Sequence, residues 1–429
     1  MTQVSYLRAL IVGAGSRGRA YTRSLRHLDY IRVTGVAEPS GPRRKKLINY
    51  CHQVYPDKVA ITEYSDWKES LADSGNYDCV IICVLDDMHR EVAVAFANAG
   101  KHMLCEKPLA TTLEDCEAIV KAVKENNVLL AIGHVLRYSP HNIALKELLD
   151  SGVVGEIINI NHTEPVGWYH FAHSYVRGNW RREDTTTFSL MAKCCHDIDV
   201  LMWLLGYENL RRVSSFGSLS YFKKENKPEA AGDRCMSCPI EESCAYSAKK
   251  IYYDDLAAGR KAWKTKTITD IEDPVHLKKA LEEGPYGICV FDADNDVCDN
   301  QVVSLDFGKA TATMTMIAFS EEVCFRKMCI YGTKGEISTD SRTIKLFDFA
   351  TRTTKSFTPD TDEESGHGGG DKGLATAFAE ALKDVLLHGS SIENATTKHI
   401  KCTPEEVLGS HKVVFLAEQA RLNGQVISL

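Results

Sequence analysis

A glycine-rich segment near the start of the chain is the first group of residues whose spacing suggests chemistry. Gly13-Ala14-Gly15-Ser16-Arg17-Gly18 has the pattern G-x-G-x-x-G, and it stands between an apolar run, residues 7–12, and a helix-compatible stretch, residues 19–28. The first two glycines would permit a tight turn and close approach of a pyrophosphate, whose charge the helix N-terminus stabilises, and the third would allow close packing of helix on strand. We therefore expect this segment, including Ser16 and Arg17, to bind a dinucleotide.

An acidic residue follows at the distance such a site requires. Glu38 closes the second apolar run, 20 residues after Gly18, and a carboxylate there accepts hydrogen bonds from ribose hydroxyls. It would repel the extra phosphate of NADP, although Arg43 and Arg44 lie just downstream and could attract it. The sequence therefore favours NAD and leaves NADP open.

A lysine ends the fourth apolar run, in Cys105-Glu106-Lys107-Pro108-Leu109. The carboxyl ends of parallel strands are where open α/β sheets bind their ligands. Glu106 and Lys107 are therefore expected beside the cofactor, where Lys107 can exchange a proton with a substrate hydroxyl or donate to it. The alternative is an ordinary surface lysine.

The first 135 residues alternate short β-branched runs with helical stretches, which is typical of a doubly wound parallel sheet. We expect a Rossmann domain over residues 1–135 and a substrate-binding α/β domain over 136–429, interrupted by an insertion at 221–285. The predicted strands are residues 7–12, 31–37, 79–84, 102–105 and 128–132, with helices over 90–98 and 112–124.

Composition limits the partners and the compartment. The net charge of −7 gives no general attraction to nucleic acid or to anionic lipid, so neither is expected as a partner. The first apolar run is interrupted by Gly13, too early for a signal peptide or membrane span, and fifteen cysteines in a long chain favour reduced thiols. We expect a soluble, cytoplasmic protein.

Four motifs, in order and spacing, resemble the glucose-fructose oxidoreductase, inositol dehydrogenase and MocA (Gfo/Idh/MocA) family. They are GAGSRG at 13–18, EKP at 106–108, GHVLRYSP at 133–140 and HDIDVLMWLLG at 196–206. The resemblance implies a Rossmann domain followed by a domain with a large, open, mostly antiparallel sheet, to which the apolar stretches 301–307, 311–319, 327–331 and 335–338 would belong. It also implies a homodimer or homotetramer. The implied activity is NAD(P)-dependent oxidoreduction of a secondary alcohol of a sugar, sugar derivative or cyclitol.

In this family the EKP lysine acts with a histidine of the second domain, so the catalytic residues would straddle the two domains. The family resemblance transfers these roles to Lys107 and His196. The family's aspartate, four residues before the histidine, is replaced here by Ala192. Lys193, three residues before His196, could replace that function, hold a substrate hydroxyl or carboxylate, or be a solvated helix residue. We assign His196 as general base or acid and Lys107 as alkoxide partner and proton relay, with the reverse assignment open; Asp199 could orient the imidazole.

Other polar and aromatic residues are candidates for contact with a hydroxylated ring. They are Arg137, Tyr138, His170, His173, Arg177, Trp180, Asp199 and His367. For His170, His173 and Arg177 the alternative is that they belong to a polar surface loop. Asp371 ends a second candidate substrate loop, residues 366–371, and its alternative role is to cap the following helix.

Cys235, Cys238 and Cys244 form a C-x-x-C pattern with a third cysteine nearby, inside the insertion. A structural zinc would need a fourth ligand such as Cys289 or Cys298, and free thiols or a redox pair are the alternatives. We assign no metal firmly.

Two other functions share these motifs. One is a glycosidase that oxidises its sugar transiently with tightly held NAD, and the other is a non-catalytic regulator that senses dinucleotides. Lys107 and His196 argue against the regulator, whereas Ala192 favours it slightly.

Overall fold

The computed structural model describes residues 6–55, 59–260, 263–360 and 366–429. The chain divides into two compact units, which are described separately. The first unit comprises Met1–Val153, Ile198–Tyr207 and Ser341–Val413, and the second comprises Val154–Asp197, Glu208–Asp340 and Val414–Leu429. The predicted domain boundary at residue 135 stays a prediction.

The first unit contains a six-stranded sheet of order β3-β2-β1-β4-β5-β6, in which every neighbouring pair is parallel. Its strands are β1 (Leu7–Val12), β2 (Ile31–Ala37), β3 (Thr62–Tyr64), β4 (Cys79–Ile82), β5 (His102–Cys105) and β6 (Leu130–Ile132). This order reverses between β1 and β4, which is the topological switch point where doubly wound sheets bind dinucleotides. The predicted Rossmann fold is confirmed.

Helices follow the strands of this sheet, and several begin at capping residues. The Thr112 hydroxyl accepts from the Asp115 amide, and the Ser139 hydroxyl accepts from the Asn142 amide ahead of Pro140 at the helix start. The helices of the first half of the chain are α1 (Ser16–Leu25), α2 (Gly41–Val54), α3 (Trp67–Ala72), α4 (His89–Asn98), α5 (Leu113–Glu125), α6 (Pro140–Asp150), α7 (Trp168–Phe171) and α8 (Ser189–Leu205).

The second unit contains strands in the order β12-β11-β7-β10-β9-β8-β15. They are β7 (Ile157–Pro165), β8 (Arg212–Ser218), β9 (Asn300–Asp306), β10 (Thr311–Ile317), β11 (Lys327–Gly332), β12 (Gly335–Thr339) and β15 (Ile427–Ser428). Only β7 and β10 pair in parallel among the pairings described. The predicted mostly antiparallel sheet is confirmed, and strands β13 (Ile344–Asp348) and β14 (Thr353–Phe357) form an antiparallel hairpin.

Burial alternates along this sheet, as in β9, because successive side chains point to opposite faces. In β7 the buried face carries Ile160, His162 and Glu164, so two of its buried positions are polar. On the other face Phe216 is 73% exposed and pairs with Val302.

The insertion has a small core of its own. It is built from Cys235, Ala248, Ile251, Tyr252, Leu256, Leu277 and Leu281, with Trp168 and Tyr169 packed against it. The remaining helices are α9 (Asp255–Ala257), α10 (Trp263–Ile268), α11 (Pro274–Glu283), α12 (Gly370–Leu386), α13 (Ile392–His399) and α14 (Pro404–Asn423).

Candidate active site

The glycine-rich loop joins β1 to α1, and each glycine has a distinct role. Gly13 has φ +97°, and a Cβ there would lie 2.4 Å from the Cys83 carbonyl oxygen; a Cβ at Gly18 would lie 2.3 Å from the Gly13 oxygen. A Cβ at Gly15 would meet nothing within 4 Å. Gly15 stands at the N-cap position of α1, where no side chain bonds the first amides of the helix. Open space thus faces the uncapped helix N-terminus, which fits the pyrophosphate of NAD.

Glu38 lies against this loop and is largely buried. Its carboxylate accepts from the Ala14 amide and from the Ser40 amide, both at 2.9 Å. Arg44, a candidate partner for the extra phosphate of NADP, pairs with Glu63 at 3.1 Å. These contacts fit a loop that receives the ribose of NAD.

Arg17 connects the glycine-rich loop to the EKP motif. Its guanidinium contacts Glu106 at 2.6 Å and Asp371 at 3.0 and 3.1 Å, and the Tyr21 hydroxyl donates to Glu106 at 2.7 Å. Burial alone would raise the pKa of Glu106, but the Arg17 charge outweighs it, and the pKa is lowered. Arg17 therefore supports the loop through two carboxylates.

Asp371 does not cap a helix. Gly369 is the N-cap residue of α12 and makes no side-chain cap bond, whereas Asp371 lies in the first turn. The alternative of a helix cap is therefore wrong, and Arg17 and His367 (Nδ1 at 2.9 Å) bind this carboxylate. His367, a predicted substrate ligand, is thus engaged with Asp371.

Lys107 follows β5 at the carboxyl edge of the parallel sheet. Its backbone amide donates to Glu106 Oε2 at 3.2 Å. Gly133 packs so closely against this segment that a Cβ at Gly133 would lie 2.8 Å from the backbone nitrogen of Lys107. The structure thus places Lys107 just after a parallel strand, as the sequence predicted, and its position beside the cofactor stays a prediction.

Arg137 and Tyr138 lie in the interior, with exposed fractions of 2% and 4%. Arg137 forms two bonds to Asp199, at 2.8 and 2.9 Å, and the Tyr138 hydroxyl accepts from the Lys401 amide at 2.9 Å. Burial opposes ionisation of Asp199, but Arg137 lowers its pKa overall. Arg137, Tyr138 and Asp199 therefore stabilise the fold through these buried hydrogen bonds. Their expected contacts with substrate stay predictions.

In the second unit, Lys193 belongs to a buried network of charges. Its Nζ lies 3.3 Å from Glu164 and 2.9 Å from Cys324 Sγ. Arg326 contacts both Glu164 and Asp197 at 2.9 Å, and His162 Nε2 lies 2.7 Å from Asp197. Burial opposes the charge on Lys193, but Cys324 and Glu164 raise its pKa overall. The alternative of a solvated helix residue is wrong, since only 13% of the Lys193 side chain is exposed.

His196 lies three residues after Lys193 on α8 and is 4% exposed. The spacing places the two side chains on nearly the same helical face. Ala192, which stands where the family has an aspartate, is fully buried. The structure therefore presents an ammonium group and an imidazole on neighbouring positions of one helix.

Four of the residues predicted to contact a hydroxylated ring, His170, His173, Arg177 and Trp180, separate into two groups. His170 lies 3.4 Å from Cys324 Sγ and meets the Trp263 ring edge-on, which places it beside Lys193. Trp180 stacks on Tyr175.

His173 and Arg177 are instead buried against the insertion. His173 contacts the Tyr252 and Thr267 hydroxyls, and burial lowers its pKa to about 3. Arg177 donates to the Ile288 and Tyr246 carbonyl oxygens. This burial contradicts the surface-loop alternative and indicates that both side chains anchor the insertion.

The insertion cysteines show no assembled metal centre. Among the described residues, no group of three His, Cys, Asp or Glu side chains is arranged to hold an ion. Cys235 Sγ accepts from Arg177, and Cys238 Sγ accepts from the Gly232 amide. All fifteen cysteines are free thiols, and a metal at Cys235, Cys238 and Cys244 stays a prediction.

Sequence reasoning missed Glu164, Arg326 and Cys324 around Lys193. Glu164 and His162 carried a signal, because both fall on the apolar phase of the alternating run in β7. Arg326 and Cys324 come from a loop between strands, where no periodicity identifies a partner.

Comparison with known proteins supports an oxidoreductase. A family model described as "Oxidoreductase family, NAD-binding Rossmann fold" matches residues 7–134, and one described as "Oxidoreductase family, C-terminal alpha/beta domain" matches residues 146–397. Levoglucosan dehydrogenase, in complex with NADH and levoglucosan, has a TM-score of 0.70 and 15% identity, with 99% of each chain covered. This similarity shows the fold.

Two curated relatives illustrate the range of similarity. The oxidoreductase YteT of Bacillus subtilis (strain 168) is 24% identical over 390 residues. These residues cover 84% of this chain and 86% of that protein. Inositol 2-dehydrogenase of Salmonella typhimurium (strain LT2) is 31% identical over 203 residues, which cover 46% of this chain and 54% of the relative. The chain thus matches about half the length of the inositol dehydrogenase. Among the described helices, none has the length and apolar character to span a bilayer.

Proposed function

Since the chain belongs to the Gfo/Idh/MocA oxidoreductase family, we propose that it transfers a hydride between NAD and a secondary alcohol of a sugar, a sugar derivative or a cyclitol. The observation that carries the proposal is the Arg17–Glu106 contact, which joins the dinucleotide loop to the EKP motif. The names of an inositol dehydrogenase relative and a levoglucosan dehydrogenase structure support this substrate class.

Residues 13–18 and Glu38 would hold NAD, which supplies the hydride acceptor when bound. His196 takes the proton of the substrate hydroxyl as general base. The Lys107 ammonium group, as in the family, stabilises the negative charge of the alkoxide. In the reverse direction His196 returns the proton.

Lys193 orients the substrate in this proposal. Its ammonium group pairs with Glu164 and donates to Cys324, and because an ammonium group has three N–H donors, it would also donate to a hydroxyl or carboxylate of the substrate. His170, beside Cys324, is a further hydrogen-bonding group of the same region.

The assay is the rise in reduced-nicotinamide absorbance when purified protein meets NAD or NADP and a panel of monosaccharides, inositols and sugar acids. A rise with NAD and a subset of polyols is expected. Bound NAD without any rise would contradict a dehydrogenase and support the glycosidase or the regulator, which a glycoside-hydrolysis assay separates.

We also propose that the protein works in the cytoplasm as a homodimer or homotetramer. The fifteen free cysteines fit a reducing compartment, and the exposed Phe216 and Val302 fit an interface on the open sheet face. Sedimentation of the wild type and of Phe216→Lys tests the interface, with a smaller assembly expected for the variant.

A further inference from the structure

The backbone that follows Lys107 is held by two buried histidines from separate helices. His89 Nδ1, at the start of α4, lies 2.7 Å from the Pro108 carbonyl oxygen. The Leu109 amide donates to His411 Nε2, on α14, at 2.9 Å. Both histidines have exposed fractions of 0%. Two successive residues after Lys107 are thus each hydrogen-bonded to an imidazole.

The partners determine which nitrogen of each ring carries a proton. His411 Nδ1 lies 3.0 Å from the Val407 carbonyl oxygen, so Nδ1 donates and Nε2 is left to accept from Leu109. Burial, together with His134, lowers the pKa of His411 to about 3, which keeps the ring neutral at ordinary pH. His89 works in the opposite sense, because a carbonyl oxygen can only accept and Nδ1 must donate to it.

We propose that His89 and His411 are positioning residues for Lys107, fixing the backbone of residues 108 and 109 so that the Lys107 ammonium group meets the substrate oxygen. This inference rests on the proposed function. An error of about 1 Å in such a group can cost about a hundredfold in rate, so a loop held at two consecutive peptide groups is a direct determinant of turnover.

The two histidines use different ring nitrogens, which yields reciprocal tests. The side-chain amide of glutamine reaches the place of an imidazole Nε2, and that of asparagine reaches the place of Nδ1. His411→Gln should keep most of kcat, whereas His411→Asn should lower kcat by about ten- to a hundredfold. His89→Asn should keep kcat, whereas His89→Gln should lower it.

The measurements are kcat and KM for the polyol, the Kd for NAD, and the thermal unfolding temperature of each variant. In the slow variants we expect a lower kcat with NAD affinity within about twofold of wild type, since the glycine-rich loop is unchanged. Combined with Lys107→Met, His411→Asn should slow the residual reaction little further, because its effect passes through Lys107.

Equal losses in Gln and Asn variants at both positions, or full kcat in all four, would overturn the positioning role while the wild type remained an active dehydrogenase. If no polyol of the panel supported NAD reduction by the wild-type protein, the proposed function would be refuted, and the positioning role with it.

Discussion

At the residue scale, burial decides what a side chain can do, and Lys193 is the clearest example. Sequence spacing alone is consistent with a catalytic replacement, a ligand of a substrate hydroxyl or carboxylate, or a solvated residue. In the structure its ammonium group contacts Glu164 and Cys324, and Arg326 contacts both Glu164 and Asp197, two carboxylates with no exposed side-chain surface. A charge in such a place is retained only with its partners.

Lys193→Met should therefore lower the free energy of unfolding by about 3 kcal/mol, because Glu164 loses one of its two buried cations. Chemical denaturation measures the loss. The double variant Lys193→Met/Glu164→Gln should recover part of it, since the unpaired carboxylate is gone. Unchanged stability in the single variant would show that the ammonium group is not part of the network.

The Arg137–Asp199 pair gives a prediction for pH dependence. Arg137 lowers the pKa of Asp199 below the value of about 3.9 that an unfolded aspartate has. The stability from this pair is thus fully present above about pH 4 and is lost as pH falls through the lower pKa of the folded state. Arg137→Met should unfold at higher pH on acidification than wild type, as followed by circular dichroism. The control is Arg8→Met, whose pair with Asp78 is partly exposed. Equal pH midpoints of acid unfolding in Arg137→Met and wild type would contradict the stabilising role of the Arg137–Asp199 pair.

At the element scale, the sequence predicted most of the Rossmann sheet. The bounds of β1, β2 and β5 agree with the apolar runs, whereas β3 was missed because three residues, two of them exposed, carry no periodic signal. The roles of His173 and Arg177 could not be predicted, because their partners lie about 70 to 110 residues further along the chain, in and beyond the insertion. The glycine pattern was informative because Gly13 and Gly18 are required by close local contacts, whereas Gly15 leaves open space at the start of α1.

Gly13→Ala and Gly15→Ala separate the packing and binding roles of this loop. Gly13→Ala should destabilise the fold, since its Cβ would lie 2.4 Å from the Cys83 oxygen and its φ is positive. Gly15→Ala should fold normally, because its Cβ meets nothing within 4 Å, but it should bind NAD at least about tenfold more weakly because the methyl group occupies the approach of the pyrophosphate. Thermal unfolding and calorimetric titration with NAD measure the two effects. Normal NAD affinity in Gly15→Ala would place the pyrophosphate elsewhere.

At the scale of the whole molecule, a parallel sheet and a mostly antiparallel sheet carry different groups of candidate functional residues. The parallel sheet presents the dinucleotide loop and Lys107, while the buried face of the mostly antiparallel sheet holds the charges around Lys193. The substrate class came from the family and not from any residue pattern, because a fold supports many substrates. Lys107 is the residue on which the proposed chemistry depends most.

The most direct measurement compares NAD reduction by wild type and Lys107→Met with the same polyol. We expect the variant to bind NAD with unchanged Kd and to lose at least about a hundredfold in kcat, as for removal of a group that stabilises the developing alkoxide. Full kcat in a folded Lys107→Met that still binds NAD would contradict the central claim and remove Lys107 from the mechanism.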